Sequence, residues 1–510
     1  MEYVLGIDIG TSGAKVLLMS VEGEIISSKV EDYDIYSPHP GWSEENPDTW
    51  WKAIKKCIKE IKKRHDKELS NVKSIGLSGQ MHGAVFVDKE GKPLYPCIIW
   101  ADNRTDKECK EIIDIVGEER IKEITYNPVI PAYTAPKVLW FKKNKKELYE
   151  KTYKIIMPKD YIGFKLTGTF YTDYSDASGT LLFDLTEKSW SEEIFEKLGL
   201  DITKHPDIYQ SSAVIGTLTD KAAYYLGLKP GIIVVAGGGD LVCGAIGNAN
   251  TTEGMASVTI GTAGQVVATM DQIYSQTVGK LFNFCHGVED KYFTLASVLS
   301  AGLSLKWFKN NISLIENLSI KDTSIDSFDL LLEGIEKIPP GSNGIIFLPY
   351  LNGAGTPYMD HKAKGAFIGL TANHNKKEIV RSIIEGVTFG IRECLETISK
   401  VGIDIREVII SAGGAKNPKW RQIQADIYNK KVSTLKVTDT SPLGAAILAT
   451  VGLGKFKTIQ EASRFYVKRN EELIPNQRNK DIYNYLFNIY RKVYSSLKEI
   501  NDDLNDFMNK

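Results

Sequence analysis

Neither sign of charge predominates in this sequence: 63 lysines and arginines stand against 64 aspartates and glutamates, a net charge of -1 over 510 residues. So close a balance removes any general electrostatic reason to bind nucleic acid or an anionic membrane. Cysteine is scarce too. The six residues, Cys57, Cys97, Cys109, Cys243, Cys285 and Cys394, are scattered, with no CxxC pair and no histidine at ligand spacing. That excludes a zinc module or a disulfide framework and suits a reducing compartment. No run of about 18 uncharged apolar residues occurs, so no segment reads as a membrane-spanning helix. Glu2 and Asp8 bracket only a short apolar run, without the basic start and cleavage site of a secretory signal. The expected location is the cytoplasm. Two nucleotide-binding signatures are absent as well: Lys15 belongs to no GxxxxGK[ST], and no GxGxxG follows a strand, which disfavours P-loop and Rossmann readings.

What is present is an ordinary globular composition, 43% hydrophobic and 25% charged, in a chain too long for one core. The first thirty residues read as a meander: Tyr3 to Ile9, Ala14 to Ser20 and Glu24 to Val30 are strands, turned at Gly10, Gly13 and Gly23. Asn46 before Pro47 reads as an N-cap with proline at the first helical position. Trp51, Ile54, Ile58 and Ile61 then recur at helical spacing, and Val72 to Leu77 is another buried strand. The order is that of an α/β domain with a mixed sheet. Much of it returns later. Met255 to Ile260 and Gln265 to Met270 are strands joined by Gly261-Thr262-Ala263-Gly264, the counterpart of Gly10-Thr11-Ser12-Gly13, and Phe282 to Val298 reads as a further hairpin. A duplicated domain is therefore expected, divided near residue 250 into 1–248 and 249–510, with ligands held in a cleft between the two halves.

The two Gly-Thr-x-Gly turns can gather backbone N–H groups and a hydroxyl around an anion, although a lone copy is usually just a hairpin turn. Asp8 interrupts the first strand with a carboxylate beside such a turn. A cation beside it is expected, and magnesium, which bridges one or two carboxylates to nucleotide phosphates, suits the place; the plainer reading is a turn-capping aspartate. Asp240 follows Gly237, Gly238 and Gly239 at the end of an apolar strand. There it can take a proton from a substrate hydroxyl during phosphoryl transfer, or merely cap a helix. With an ordinary pKa of about 4 it would be ionised at neutral pH. His82, within Ser78-Gly79-Gln80-Met81-His82-Gly83, is flanked by small residues that would let a sugar hydroxyl reach it; a satisfied core histidine is the alternative.

These segments together resemble the FGGY family of carbohydrate kinases, and within it the xylulokinase branch. The resemblance runs from Gly6 to about Gly454. It rests on GIDIGTSGAK from Gly6, PGWSEENPDTWW from Pro40, SGQMHG from Ser78, WADNR from Trp100 and PKDYIGFKLTGTFYTDYSDASGT from Pro158. In the second half it continues through GGGD from Gly237, IGTAG from Ile260, FLPYLNGAGTP from Phe347, SAGGAKNPKWRQIQADI from Ser411 and SPLGAAILA from Ser441. It implies an actin/hexokinase-like pair of ribonuclease-H-like domains with a catalytic cleft between them. The first domain would bind sugar and the second the nucleotide. It implies ATP and Mg2+ as cofactors, Asp240 as catalytic base, and Asp8 near the magnesium and phosphates, with both acids holding the ion through water. Met81, His82 and Asp240 would meet the sugar. Gly10, Thr11, Ser12, Gly261, Thr262, Gly414 and Asn417 would meet ATP. The reaction implied is phosphorylation of a ketopentose, D-xylulose to D-xylulose 5-phosphate.

The chain departs from that branch at Leu241, where an asparagine usually follows the base, at Gly353-Ala354-Gly355-Thr356, where Gly-Glu-Arg-Thr is commoner, and at Ala132. These departures keep other readings open: a kinase for another ketose, a polyol or a sugar acid, or a non-catalytic regulator on the same fold. At the C-terminus, Ile482, Leu486, Ile489, Val493, Leu497, Ile500 and Leu504 recur three and four apart between Asp481 and Phe507. Such a stripe predicts a helix packed on the second domain or, failing that, a contact between two copies in a homodimer.

Overall fold

A computed structural model of the chain describes residues 1–313 and 327–508. They form two compact units. One gathers Met1–Thr252, Asp271–Phe293 and Asp439–Lys468; the other gathers Glu253–Met270, Thr294–Thr438 and Arg469–Lys510. The units are thus defined by packing rather than by chain order, and the division near residue 250 is crossed twice by segments that return to the first unit.

In the first unit Tyr3–Ile9 pairs antiparallel with Gly13–Ser20, which pairs antiparallel with Ile25–Asp32. Short turns suffice for these pairs. Val72–Gly79 instead runs parallel to Tyr3–Ile9, and a parallel pair needs a crossover. The helix Pro47–Leu69 supplies it. Asn46 caps that helix by accepting from Asp48 N, with Pro47 in the first turn, and Trp50, Ile54, Ile58 and Ile61 are wholly buried. Ile233–Val235 then extends the parallel part, and Val214–Thr217 closes the edge antiparallel.

The other face of this sheet is covered by a helix from far along the chain, Thr440–Gly452, which packs on Tyr3–Ile9 and Val72–Gly79. Its sequence, TSPLGAAILATVG, is small and apolar on almost every side, and Pro442 through Thr450 are buried. Backbone meets backbone here. A Cβ on Gly76 would lie 1.8 Å from Ala445 O, and one on Gly444 would lie 1.8 Å from Cys243 O in the neighbouring helix Asp240–Gly247. This packing is why a segment of the second half of the sequence belongs to the first unit.

The second unit repeats the plan. Met255–Ile260 pairs antiparallel with Gly264–Met270 and parallel with Glu407–Ala412; Lys431–Leu435 follows in parallel, and Arg469–Leu473 closes antiparallel. The helix Lys376–Lys400, started by a capping box of Asn375 and Glu378, lies in the chain between the antiparallel and parallel parts. Both Gly-Thr-x-Gly turns join the first two strands of their sheets. The duplication read from the sequence is present in strand order and in turn position.

The C-terminal helix, Gln477–Met508, packs on the second unit. Of the expected aliphatic stripe only Val493 is buried. Tyr483, Phe487, Tyr490, Val493 and Tyr494 are buried, whereas Ile482, Ile500 and Leu504 are exposed. The aromatic residues share the same helical spacing one position on and bury more area each. Their hydroxyls also find partners: Tyr483 donates to Glu385 at 2.9 Å, Tyr494 donates to Asp360 at 2.8 Å, and Tyr490 lies 3.2 Å from the Tyr350 hydroxyl. Among the described residues no helix is long and apolar enough to cross a membrane, and all six cysteines are buried free thiols.

Candidate active site

Asp8 is the second-last residue of its strand, paired in register with Lys15 on one side and Ser78 on the other. Ser78 Oγ donates to Asp8 Oδ1 at 2.7 Å. Burial raises the Asp8 pKa above the usual carboxylate range, against the pull of the Ser78 hydroxyl and the Lys15 charge. The Lys15 ammonium itself meets Asp439 Oδ1 at 2.8 Å. Beyond Asp8 the turn closes with Gly10 N donating to Gly13 O at 3.0 Å. Thr11 Oγ1 accepts from the indole of Trp100 at 2.9 Å. Trp100 is 45% exposed, a large exposed aromatic beside the Gly10–Gly13 turn.

The second acid hangs from the same strand. Gly238–Gly239 adds to Val72–Gly79, with Gly238 opposite Ser78 and Gly239 opposite Gly79. One strand therefore carries Asp8 on one flank and the approach to Asp240 on the other. Gly237 turns at φ +76°, where a Cβ would lie 2.0 Å from Leu77 O, so only glycine fits. Gly239 is the N-cap of the helix Asp240–Gly247, so Asp240 is its first residue rather than its cap. Its Oδ1 accepts from Leu241 N at 2.8 Å, and its carbonyl accepts from Ser441 Oγ at 3.1 Å. Asp240 does not have the ordinary ionisation expected of it. Burial, then the neighbouring Asp8 charge, push the Asp240 pKa up to about 7. Two carboxyl groups in one recess cannot both ionise freely.

The Gln80-Met81-His82 segment adjoins both. Gln80 N donates to Ile9 O at 2.8 Å, and its side chain donates to Glu45 Oε2 at 2.9 Å. Glu45 is a further buried acid, raised to about 7 by desolvation. Met81 is buried against the glycine run, where a Cβ on Gly239 would come 2.6 Å from Met81 Cγ. His82 has φ +67°, a rare backbone for a residue with a side chain. Two groups absent from the sequence reading hold it there: Lys137 Nζ donates to His82 O at 2.8 Å and to Ala132 O at 2.6 Å, and Thr134 Oγ1 donates to His82 O at 3.2 Å. The visible signal was a lysine directly before the apolar run Val138-Leu139-Trp140-Phe141. Burial lowers the Lys137 pKa to about 7. The imidazole Nδ1 lies 2.7 Å from Gly179 O, and burial holds its pKa down to about 4. In the neutral ring Nδ1 carries the proton, and Nε2 is left as an acceptor. Tyr133 packs edge-on at 4.9 Å between centroids, with Phe284 at 5.8 Å.

Ser12 stays in the first turn, its carbonyl accepting from Tyr33 N at 3.0 Å; the four other predicted residues lie in the second unit and share a cavity of about 290 Å³. Gly261, Thr262, Gly414 and Asn417 line it together with Leu303 and Phe328, which the sequence reading missed. The carbonyls of Gly261 and Thr262 accept from Gly302 N at 3.0 Å and Leu303 N at 3.1 Å, which braces the turn on the helix Ala301–Asn311. Asn417 caps the helix Pro418–Tyr428 by accepting from Lys419 N and Trp420 N. Just upstream, Ala412 has φ 60° and ψ -148°, a conformation otherwise left to glycine, at a cost of about 1–3 kcal/mol. Strain of that kind persists where the surroundings over-determine it, and here it sets the Gly413–Ala415 turn at the cavity wall. Among the described residues no group of three or more His, Cys, Asp or Glu side chains is arranged so that it could hold a metal ion.

Comparison with known proteins decides the family. The model of the N-terminal domain of the FGGY family of carbohydrate kinases matches residues 3–247, and that of the C-terminal domain matches residues 256–453. This chain belongs to the FGGY family of carbohydrate kinases. As such a kinase it is a phosphotransferase acting on an alcohol group. The FGGY chain is 35% identical over 507 residues to the xylulose kinase of Bacillus subtilis (strain 168), covering 99% of each protein. It is 28% identical over 463 residues to the gluconokinase of the same organism, covering 90% of each. Among solved structures it is similar to a ligand-bound xylulose kinase from Lactobacillus acidophilus, with a TM-score of 0.89, 25% identity, and 99% and 100% of the two chains covered.

Proposed function

We propose that this FGGY kinase transfers the γ-phosphoryl group of ATP to the terminal hydroxyl of D-xylulose. The observation that carries the chemistry is the pair Asp8 and Asp240, held at adjoining strand ends, with the proton affinity of Asp240 raised to about 7 by burial and by Asp8. A base matched to neutral pH can accept the sugar proton as the new O–P bond forms. The neutral His82 supplies Nε2 as acceptor for a second hydroxyl, and Met81 beside the glycine run gives the carbon skeleton an apolar wall. Gly10, Thr11 and Ser12 in the first unit, and Gly261, Thr262, Gly414 and Asn417 around the cavity of the second, would bind the nucleotide.

Asp8 and Asp240 suit a magnesium ion, which binds through one or two carboxylates, keeps several waters and neutralises phosphate charge. Two neighbouring carboxyl groups whose pKa values are both raised are relieved by a cation. The xylulose assignment is supported by the full-length similarity to proteins named xylulose kinase, at 35–37% identity. The second reading, a sugar acid, rests on the similarity to a gluconokinase; Leu241 keeps it open only as a departure from the xylulokinase pattern, since its side chain offers no hydrogen bond next to the base.

Release of ADP coupled to a panel of pentuloses, hexuloses, polyols and aldonates tests the substrate. D-xylulose should give the highest kcat/KM. A better aldonate would move the assignment to the sugar acid, and no turnover on any member would remove the kinase activity. For Asp240→Asn we expect turnover to fall by at least about a hundredfold, the usual scale of a lost general base, with ATP binding kept.

A further inference from the structure

The glycine run that delivers Asp240 is attached to a buried ionic cluster that has no part in the proposed chemistry. Lys159 is wholly buried and sits among three wholly buried aspartates: its Nζ contacts Asp160 Oδ1, lies 2.9 Å from Asp173 Oδ1 and 3.3 Å from Asp176 Oδ2. The other carboxylate oxygen of Asp173 accepts three hydrogen bonds. They come from Ser175 N at 2.9 Å, Ser175 Oγ at 2.6 Å and Ser211 Oγ at 3.2 Å. Each serine then grips the glycine run. Ser175 Oγ accepts from Gly239 N at 3.0 Å, and Ser211 O accepts from Gly237 N at 2.9 Å. Gly239 caps the helix that Asp240 begins, so a shift of its amide is a shift of the carboxylate.

A charge cluster this deep is expensive, and apolar packing would usually serve stability as well or better. Its cost is understandable where it fixes one geometry. With Oδ1 against the Lys159 ammonium and Oδ2 against two hydroxyls, Asp173 is restrained on both sides, most tightly by the 2.6 Å bond from Ser175 Oγ. The glycine run has no side chains to anchor it beyond its short backbone pairing with Val72–Gly79, and these two serines add the further restraint.

We propose that Asp173, anchored by Lys159 and acting through Ser175 and Ser211, is a positioning residue for Asp240. The inference rests on Asp240 being the base. Ser175→Ala removes one oxygen from a buried site, and the measurements are kcat, KM for sugar and for ATP, the pH profile of kcat, and the thermal midpoint. We expect kcat to fall about tenfold or more, as displacement of a reacting group by a fraction of an ångström does. Both KM values should stay within about twofold. The acidic limb of the kcat profile should move by half a pH unit or more, because the surroundings of Asp240 change. Ser211→Ala tests the second arm in the same way, and serves if Ser175→Ala does not fold. A kcat within twofold of the parent, a sugar KM that rises while kcat is kept, or a loss of rate uniform in pH that tracks the fraction folded would each overturn the proposal. Asp240→Asn measured alongside separates the two readings. If it keeps turnover, the base assignment fails; if it loses turnover while both serine variants keep theirs, only the positioning role fails.

Discussion

Asp240 gathers the consequences at the scale of single residues. Its pKa stands at about 7 in the folded chain against the ordinary 3.8, and the sign of each effect follows. As a base it must be ionised, so kcat/KM for sugar should decline below about pH 7, by about tenfold per unit. A flat profile from pH 5 to 8 would contradict the assignment. For stability the direction is opposite. Between about pH 4 and 7 the folded chain holds a proton that the unfolded chain has released, so stability falls as pH rises through that window and stays lower above it. Asp240→Asn has no proton to lose. Its thermal midpoint should exceed that of the parent at pH 8 and match it near pH 4, a gain in stability won by discarding the base. The importance of Asp8 and Asp240 was legible in the sequence, since an acid after a glycine run or inside an apolar strand stands out. Their shifted ionisation was not, because it depends on two segments 232 residues apart in sequence meeting across one strand.

Among the elements, the strands and their turns were read from the sequence almost to the residue. Tyr3–Ile9 and Met255–Ile260 have the expected bounds, because buried strands between glycines carry strong local signals. The two helices that were harder to read show where local signals end. In Gln477–Met508 two stripes share one period, and the choice between them was made by area and by phenol hydrogen bonds to Glu385 and Asp360 in other elements. Thr440–Gly452 is apolar all round, so periodicity could not say which face it buries. Its backbone contact predicts a sharp sensitivity: Gly76→Ala should lower the thermal stability of the first unit, by about 3 kcal/mol, the upper part of the range for overpacking. Its added methyl meets a carbonyl rather than a flexible side chain. Scanning calorimetry that found the midpoint unchanged would mean the helix can slide away from the sheet.

At the scale of the whole molecule the first unit is discontinuous in the chain, and this has a direct test. A fragment ending at Thr252 contains the whole sheet of that unit but lacks Thr440–Gly452, leaving the apolar face of Tyr3–Ile9 and Val72–Gly79 uncovered. We expect it to aggregate or to melt without a cooperative transition; a soluble fragment with a sharp calorimetric peak would show the sheet to be self-sufficient. The sequence by itself determined the duplicated strand order, the two Gly-Thr-x-Gly turns, the acids and the family, because each is written in contiguous residues whose backbone preferences are local. Only the tertiary structure decided which face of Thr440–Gly452 and of Gln477–Met508 is buried, that residues 439–468 complete the first unit, that Asp240 is a weak acid beside Asp8, and that Asp173 and two serines hold the glycine run. Those depend on burial and on contacts between segments far apart in the chain, and neither property is carried by any local stretch of sequence.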